Sequence, residues 1–444
     1  MEVDPGLKWL FLDLNSYFAS VEQQDRKELR GRPVAVVPME TDHTCCIAAS
    51  YEAKAYGIKT GTNVGEAKRL CPSLRCVLAR HDIYRRYHDK VLDETINHVP
   101  INKVWSIDEF ASRLPERLRG REAAIDAAQR LKDGIRRNVG EVIRCSIGLA
   151  PNSFLAKVAT DMEKPDGLVV LEGKDLPGRL FDLKLTDLPG INVRMEARLR
   201  AGGVRTIEDL WTISPKHARK LWGGVGGERF WYNLHGYDVP DQKTNTGMVG
   251  HSRMLDSNLR GPEQAREVAR RLTIKAATRL RRYEFYATSF HLGVRTVDDR
   301  RWAMEAKLPP VQDNYAFLHA LDELWGMMLP ALFHYSPPSC LREGGSRGEG
   351  AGRREETLRF KKVSVTMHGL CRREEITPDL FDSQSEAYAE VQKRHETLTH
   401  LMDFINKKHG AEKIHLGVSP KTSAGFLGTK IAFSRVPDME EFAE

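Results

Sequence analysis

Two stretches of this chain, nearly a hundred residues apart, run from apolar residues into carboxylates. Trp9-Leu10-Phe11-Leu12 is an apolar run of strand length that stops on Asp13, and Lys103 to Ile107 is a second strand that delivers Asp108 and Glu109. If the two strands are neighbours in one sheet, the three acids converge. Unit charges about 4 Å apart near a protein surface repel by about 4 kcal/mol, so such a cluster calls for cations between its members. Hard oxygen donors suit Mg²⁺, which also takes substrate phosphates as ligands. Two such ions clamp an in-line phosphoryl transfer, one lowering the pKa of the attacking hydroxyl and the other stabilising the leaving pyrophosphate. Taken alone, an Asp or an Asp-Glu pair is an ordinary strand-end acid; the neighbouring residues decide between the two readings.

The rest of the first 175 residues alternates strands and helices. Asn15 to Gln24 reads as a helix, Pro33 to Pro38 and Ile47 to Ser50 as short strands, and Tyr51 to Tyr56 as a helix ended by Gly57. Further helices are expected over Tyr84–His98, Ala123–Asn138 and Phe154–Asp161, with strands over Ile143–Leu149 and Leu168–Leu171. From Leu176 to about Asn245 short helices are broken by glycines, among them Gly190, Gly202, Gly203, Gly223 and Gly224. From Thr246 the pattern becomes β-α-β-β-α-β: Met248–Met254, Pro262–Tyr283, Ala287–Val294, Trp302–Lys307, Val311–Leu329 and Phe360–Met367. A Gly-, Arg- and Glu-rich stretch, Arg342 to Arg354, interrupts this module and reads as a disordered loop. Ser385 to Lys407 is one further helix in the tail.

Composition narrows the function classes. No window approaches the roughly 18 to 20 apolar residues of a membrane span. Met1 to Lys8 carries Glu2 and Asp4 and lacks the basic and apolar regions of a signal peptide, so a cytoplasmic protein with no membrane partner is expected. Seven scattered cysteines, an odd number without any C-x-x-C pair, describe core thiols rather than a disulfide framework or zinc site. The net charge of +7 favours an anionic partner only mildly. Between Arg253 and Lys307, thirteen Lys or Arg stand against seven Asp or Glu, a local excess that points to a phosphate backbone.

The residues around the acids carry a resemblance. Leu12-Asp13-Leu14-Asn15-Ser16-Tyr17-Phe18-Ala19-Ser20-Val21-Glu22 resembles the first metal-binding motif of the Y-family translesion DNA polymerases, and Ser106-Ile107-Asp108-Glu109 their second. Ala49 to Gly61 is similar to the family's finger motif, Ser146 to Asn152 with Phe154 to Ala159 to a later one, and Lys164-Pro165-Asp166-Gly167 to its Lys-Pro-x-Gly. Five motifs in order over about 160 residues are specific, and bacterial DNA polymerase IV and UmuC-like groups are the nearest in pattern.

The resemblance implies an α+β multidomain right-hand polymerase. Its parts would be a palm (1–20 and 80–175), fingers (21–79), a small helical thumb with a helix-hairpin-helix (176–245), a β-α-β-β-α-β little finger (246–371, with a disordered loop at 338–356) and a C-terminal tail (372–444). It further implies two Mg²⁺ ions on Asp13, Asp108, Glu109 and the backbone carbonyl of Leu14. Phe18 falls at the steric gate, where an apolar ring leaves a ribose 2′-hydroxyl clashing and unpaired. Tyr51, Lys54 and Lys157 would hold the dNTP triphosphate. Four residues depart from the family pattern. Asn15 replaces a common second Asp, and Lys54 an Arg, keeping the charge but losing the bidentate fork. Phe110 replaces an Ala and is expected to reshape the floor beside the metals, and Arg113 stands in place of an apolar or acidic residue.

Primer-template DNA is the implied partner. Leu188-Pro189-Gly190-Ile191-Asn192 resembles a helix-hairpin-helix, whose backbone N–H groups meet a phosphate. Asn192 stands for the usual second Gly and is expected to keep the turn through its tolerance of positive φ. In the little finger the basic helix with Arg270, Arg271, Lys275 and Arg279 is the expected DNA contact, sequence-independent and salt-sensitive. Thr377-Pro378-Asp379-Leu380-Phe381 resembles a peptide that docks on the bacterial sliding clamp through Leu380 and Phe381. The expected protein is a monomeric, low-fidelity DNA polymerase. Its rivals are a catalytically inactive scaffold, which intact Asp13, Asp108, Glu109 and Lys157 argue against, and a nucleotide cyclase on a similar palm, which leaves the hairpin and basic module unexplained.

Overall fold

The computed structural model describes residues 6–240, 246–333, 358–376 and 386–409, with 413, 414, 416, 417, 436, 437 and 439. The described chain divides near residue 242 into two compact units, and Val436 and Pro437 belong to the first.

The first unit opens with β1 (Trp9–Leu14) and α1 (Tyr17–Asp25), followed by β2 (Val34–Val37), β3 (Ala48–Ala49), α2 (Tyr51–Lys54), α3 (Val64–Leu70) and β4 (Arg75–Leu78). Then come α4 (His81–Ile96), β5 (Lys103–Val104), β6 (Glu109–Arg113), α5 (Arg121–Gly134), β7 (Cys145–Ala150), α6 (Ser153–Met162) and β8 (Leu168–Val170). Four short helices finish it: α7 (Val193–Ala201), α8 (Ile207–Thr212), α9 (Pro215–Trp222) and α10 (Val225–Leu234).

Its main sheet has the order β5-β6-β1-β7-β8, with β1 antiparallel to both neighbours. β1 is central and covered on both faces, which is why it reads as an unbroken apolar run rather than an alternation. Leu10, Leu12 and Leu14 pack with Tyr84 and Val91 of α4 and Ala124 and Leu131 of α5. Phe11 packs on the opposite face with Leu155 and Ala159 of α6. Period-two alternation puts Asp13 on the α6 face with Phe11. Gly148 of β7 lets α6 lie against the sheet, since a Cβ there would stand 2.0 Å from the Ala156 carbonyl oxygen.

A smaller sheet, β3-β2-β4, carries α2 and α3 over a core of Ala35, Val37, Ala53, Ile58, Val64 and Ala67. β4 and α3 are elements that periodicity did not reveal. β4 is a four-residue strand with Arg75 and Leu78 exposed, and α3 spans only seven residues, too few for either period to declare itself. Among the short helices, side-chain caps mark the starts: Asn192, Thr206 and Ser214 each accept an N–H of the first turn. The end of this segment is clasped to the main sheet. Trp9 Nε1 donates to Asp238 at 2.9 Å, Arg113 pairs with the same carboxylate at 3.1 Å, and the Asn152 amide donates to the carbonyls of Asn233 and Tyr237. The unusual Arg113 is thereby a clasp residue.

The second unit contains β9 (Met248–Met254), α11 (Pro262–Arg282), β10 (Tyr286–Thr296), β11 (Arg301–Val311), α12 (Asn314–Phe333), β12 (Phe360–Cys371) and α13 (Glu386–His409). Six of these follow the β-α-β-β-α-β order read from the sequence. The sheet is antiparallel throughout, in the order β11-β10-β12-β9. α11 and α12 cover one face, with Phe290, Phe317, Trp325 and Phe360 in the core. α13 is fastened through Arg281, whose buried guanidinium is held by Asp403 at 2.7 and 3.0 Å.

Two expectations need correction. Lys103 to Ile107 is not one strand ending on the acids; β5 stops at Val104, and Glu109 opens β6. The acids sit where a hairpin reverses, and the reversal brings the start of β6 beside the end of β1. The thiols are also not all core: Cys46, Cys71 and Cys145 are buried, but Cys45 is exposed. The glycine-rich loop at 338–356 lies outside the described residues, as do Leu380 and Phe381. Among the described residues, no helix is long and apolar enough to cross a membrane.

Candidate active site

The antiparallel register sets Asp13 directly opposite Glu109, and the Leu14 N–H donates to the Asp108 carbonyl at 2.9 Å. Paired Cα atoms in such a ladder are only about 4.5 to 5.5 Å apart, so acids a hundred residues apart in sequence share one end of the sheet. Burial is the main influence on Asp13, which is 8% exposed, and it pushes the carboxyl up to about 7; Lys164 opposes the shift and Glu109 adds to it. Burial likewise raises Asp108, with a hydrogen bond from Ser106 opposing and Glu109 adding.

Lysines compensate the cluster. Lys164 Nζ lies 2.7 Å from Asp13 and 2.7 Å from Asp161. Burial disfavours its ammonium, yet the two carboxylates outweigh this and hold the amine above the ordinary lysine range. Lys157 pairs with Glu109 and lies 3.8 Å from Asp161. Among the described residues, no three His, Cys, Asp or Glu side chains are gathered tightly enough to hold a metal ion as they stand. By donor type and charge the residues fit a divalent cation: they are hard oxygen ligands whose mutual repulsion two ammonium groups now relieve.

Tyr51 and Lys54 stand at the start and end of α2, with the Lys54 ammonium 4.3 Å from the centre of the Tyr51 ring. Burial raises the Tyr51 phenol, and Lys164 and Asp13 are near enough to act on it in opposite senses. Lys164 therefore shares electrostatic surroundings with Tyr51 while also touching Asp13, a role that the sequence alone does not assign. Its signal in the sequence is the Lys-Pro-x-Gly motif. Lys157 sits instead with Glu109. Phe18 is half-buried near the N-terminus of α1 and stacks on Tyr84.

Two further residues organise the site. Asn15, 2% exposed, accepts the Asp166 N–H at 2.7 Å and donates to Ser146 Oγ at 3.1 Å, so it pins the segment carrying Lys164 to the main sheet. His88 of α4 holds the Ile107 carbonyl with Nδ1 at 2.6 Å, and burial pushes its imidazole down to about 4, leaving a neutral ring that donates. Phe110 does not form a floor beside the acids. It is fully buried in the core with Tyr84 and Leu131, because it points to the face of β6 opposite Glu109.

A cleft of about 300 Å³ runs between Lys157, Asp161 and residues 186–192. Gly190 lines it in the left-handed region, with φ of +92°. Asn192 does not use positive φ; at −90° it is the N-cap of α7, accepting the Met195 N–H at 2.9 Å. Asn192→Ala should cost about 1 kcal/mol and Asn192→Gly only a few tenths. Urea unfolding followed by tryptophan fluorescence separates this from a left-handed role, for which Gly would stabilise.

In the second unit the arginines of α11 are largely engaged within the fold. Arg271 is 7% exposed, Arg270 is paired with Asp322 at 2.8 Å, and Arg279 donates to the Gly250 carbonyl at 2.8 Å. Lys275 is half-buried. The basic helix is thus not a free cationic face, because α11 packs against both the sheet and α12. The opposite face of the sheet is the open one. Across it Arg301, Arg295 and Lys362 stand abreast, followed by Ala303, Gly293, Ser364 and Ser252.

Residues 12–161 match the impB/mucB/samB family, and residues 248–380 match that family's C-terminal domain. The DNA polymerase IV of Moorella thermoacetica is 40% identical over 281 residues, covering 61% of this chain and 69% of the relative. DNA polymerase IV 1 of Bacillus subtilis is 27% identical over 419 residues, covering 92% of each chain. Among solved structures, a Y-family chimera of the Dbh and Dpo4 polymerases superimposes with a TM-score of 0.66 at 20% identity, covering 82% of this chain and 99% of its own. An insertion ternary complex of Dbh DNA polymerase gives 0.52 with the same identity and coverage. Fold, acid-tipped sheet and relatives together define a DNA-directed DNA polymerase. The chain belongs to the Y family of translesion polymerases, in its bacterial DNA polymerase IV-like group.

Proposed function

We propose that the chain adds dNTPs to a primer 3′-hydroxyl, copying damaged template as part of DNA damage tolerance. The observation that carries this reading is the direct opposition of Asp13 and Glu109 on neighbouring strands, with Asp108 beside them and two lysines against the acids. Two Mg²⁺ ions would be held by Asp13, Asp108, Glu109 and the Leu14 carbonyl, and would supply activation of the attacking hydroxyl and charge stabilisation of the pyrophosphate.

The chain's own groups do the remainder. Tyr51, Lys54 and Lys164 offer donors and positive charge to the triphosphate, and Lys157 neutralises Glu109. Phe18 forms the gate against ribose. In this reading the main sheet is the palm, the β3-β2-β4 sheet the fingers, α7 to α10 the thumb and the second unit's β-α-β-β-α-β module the little finger. The Gly190 turn meets a backbone phosphate. Arg301 and Lys362, on either side of an Arg295 that is paired with Asp299 at 2.8 Å, offer charge to DNA alongside Arg270, Arg271, Lys275 and Arg279 of α11. The protein works as a monomer in the cytoplasm, with Leu380 and Phe381 docking on a sliding clamp.

Extension of a labelled primer on undamaged and lesion-bearing templates, with and without Mg²⁺, tests the reading. Mg²⁺-dependent extension with dNTPs is expected. Purified protein that binds primer-template yet adds nothing at millimolar Mg²⁺ would identify a scaffold instead.

A further inference from the structure

Behind Phe18 lies a group of side chains that the chemistry above does not use. Phe18 and Glu22 are four residues apart on α1 and share one helix face, while Arg80 is the N-cap of α4 and Tyr84 lies in its first turns. The Phe18 and Tyr84 rings stack with centroids 4.4 Å apart and planes inclined by 15°. The Tyr84 hydroxyl donates to Glu22 Oε1 at 2.7 Å. Arg80 clamps the same carboxylate from two sides, Nε to Oε1 at 3.1 Å and Nη2 to Oε2 at 2.8 Å. Glu22 and Tyr84 are both fully buried. Tyr17 fixes the α4 backbone at this turn, its hydroxyl donating to the Tyr84 carbonyl at 2.6 Å. His81 stands edge-on to both rings.

We infer that Tyr84, locked by the Glu22–Arg80 pair, is a positioning residue that sets how strictly Phe18 excludes a ribose; this rests on the proposed gate role of Phe18. The argument is mechanical. A gate discriminates only if its ring cannot retreat from a 2′-hydroxyl, and close-packed interiors yield little. A phenol backs the ring, and its hydroxyl cannot rotate away without orphaning itself and taking one hydrogen bond from a buried carboxylate. Arg80 makes that carboxylate tolerable, since a buried charge without a partner is strongly unfavourable. A leucine at 84 would still fill space but would neither stack nor be anchored.

The test is single-nucleotide insertion with matched rNTP and dNTP on one preparation of each variant, read as the ratio of the two kcat/KM values. The ratio cancels the active fraction, so partial loss of folding does not confound it. Tyr84→Leu should shift the ratio toward rNTP about tenfold, Tyr84→Phe and Glu22→Gln about threefold, and Phe18→Val about a hundredfold. If Phe18→Val shifts the ratio while all three other variants stay within about twofold of the parent, the backing role is overturned and the gate reading stands. If Phe18→Val leaves the ratio unmoved, the gate reading fails and the inference with it.

Discussion

Asp108→Ala is expected to lower primer extension on the order of 10³-fold or more, equivalent to about 4 kcal/mol of transition-state stabilisation, while primer-template affinity stays within about twofold. The substitution is clean because of where Asp108 sits. It lies in the reversal between β5 and β6, outside the apolar cores, and its side chain accepts a hydrogen bond from the nearby Ser106 hydroxyl. Asp108 stands beside Glu109, which raises its pKa, so removing the Asp108 carboxylate relieves repulsion and the fold should not suffer. Single-turnover extension with a gel-shift titration of the same variant measures both halves. Extension at the parent rate would refute Asp108 as a ligand.

Gly148→Ala should produce the largest loss of stability of any single methyl addition considered, about 3 kcal/mol or more. The new Cβ would meet the Ala156 carbonyl oxygen at 2.0 Å, the Thr160 nitrogen at 2.6 Å and Thr160 Oγ1 at 2.7 Å. Two of those three are backbone atoms and cannot rotate aside, so α6 has to lift from β7. Lys157 rides on α6, so the separation would also move the cation against Glu109 and reduce extension. Gly326→Ala is the control, because nothing lies within 4 Å of its would-be Cβ and it stands inside α12, where Ala is at home. Thermal unfolding of the two variants side by side should show a large drop for the first and almost none for the second. Equal midpoints would mean that the helix and strand are not in such close contact.

What could be read in the sequence follows from what each residue announces. Asp13 announced itself through the apolar run before it, and the same run, buried on both faces, gave the strand away. The order of the second unit was legible because α11, β10 and α12 are long enough for their periods to declare themselves. The failures share a cause: direction in space is invisible along the chain. The α11 arginines look like a basic face, and only the positions of Asp322 and the Gly250 carbonyl reveal that Arg270 and Arg279 are already occupied. Asn192 looked like a glycine substitute and is a cap, because a cap is defined by the N–H it accepts. Lys164 was visible inside a motif but gained a role only when Asp13 was found beside it.

The chain's return to the first unit has a consequence of its own. Val436 packs into the cluster that holds Tyr84 and Phe110, and Arg85 donates to the Pro437 carbonyl at 3.0 Å, whereas the described residues between 246 and 417 belong to the second unit. In sequence the second unit therefore lies between two parts of the first. A protease nick just before the second unit would leave it joined covalently only to the short segment bearing Val436 and Pro437, so its attachment to the rest of the first unit would then depend on the packing of Val436 and the Arg85 hydrogen bond.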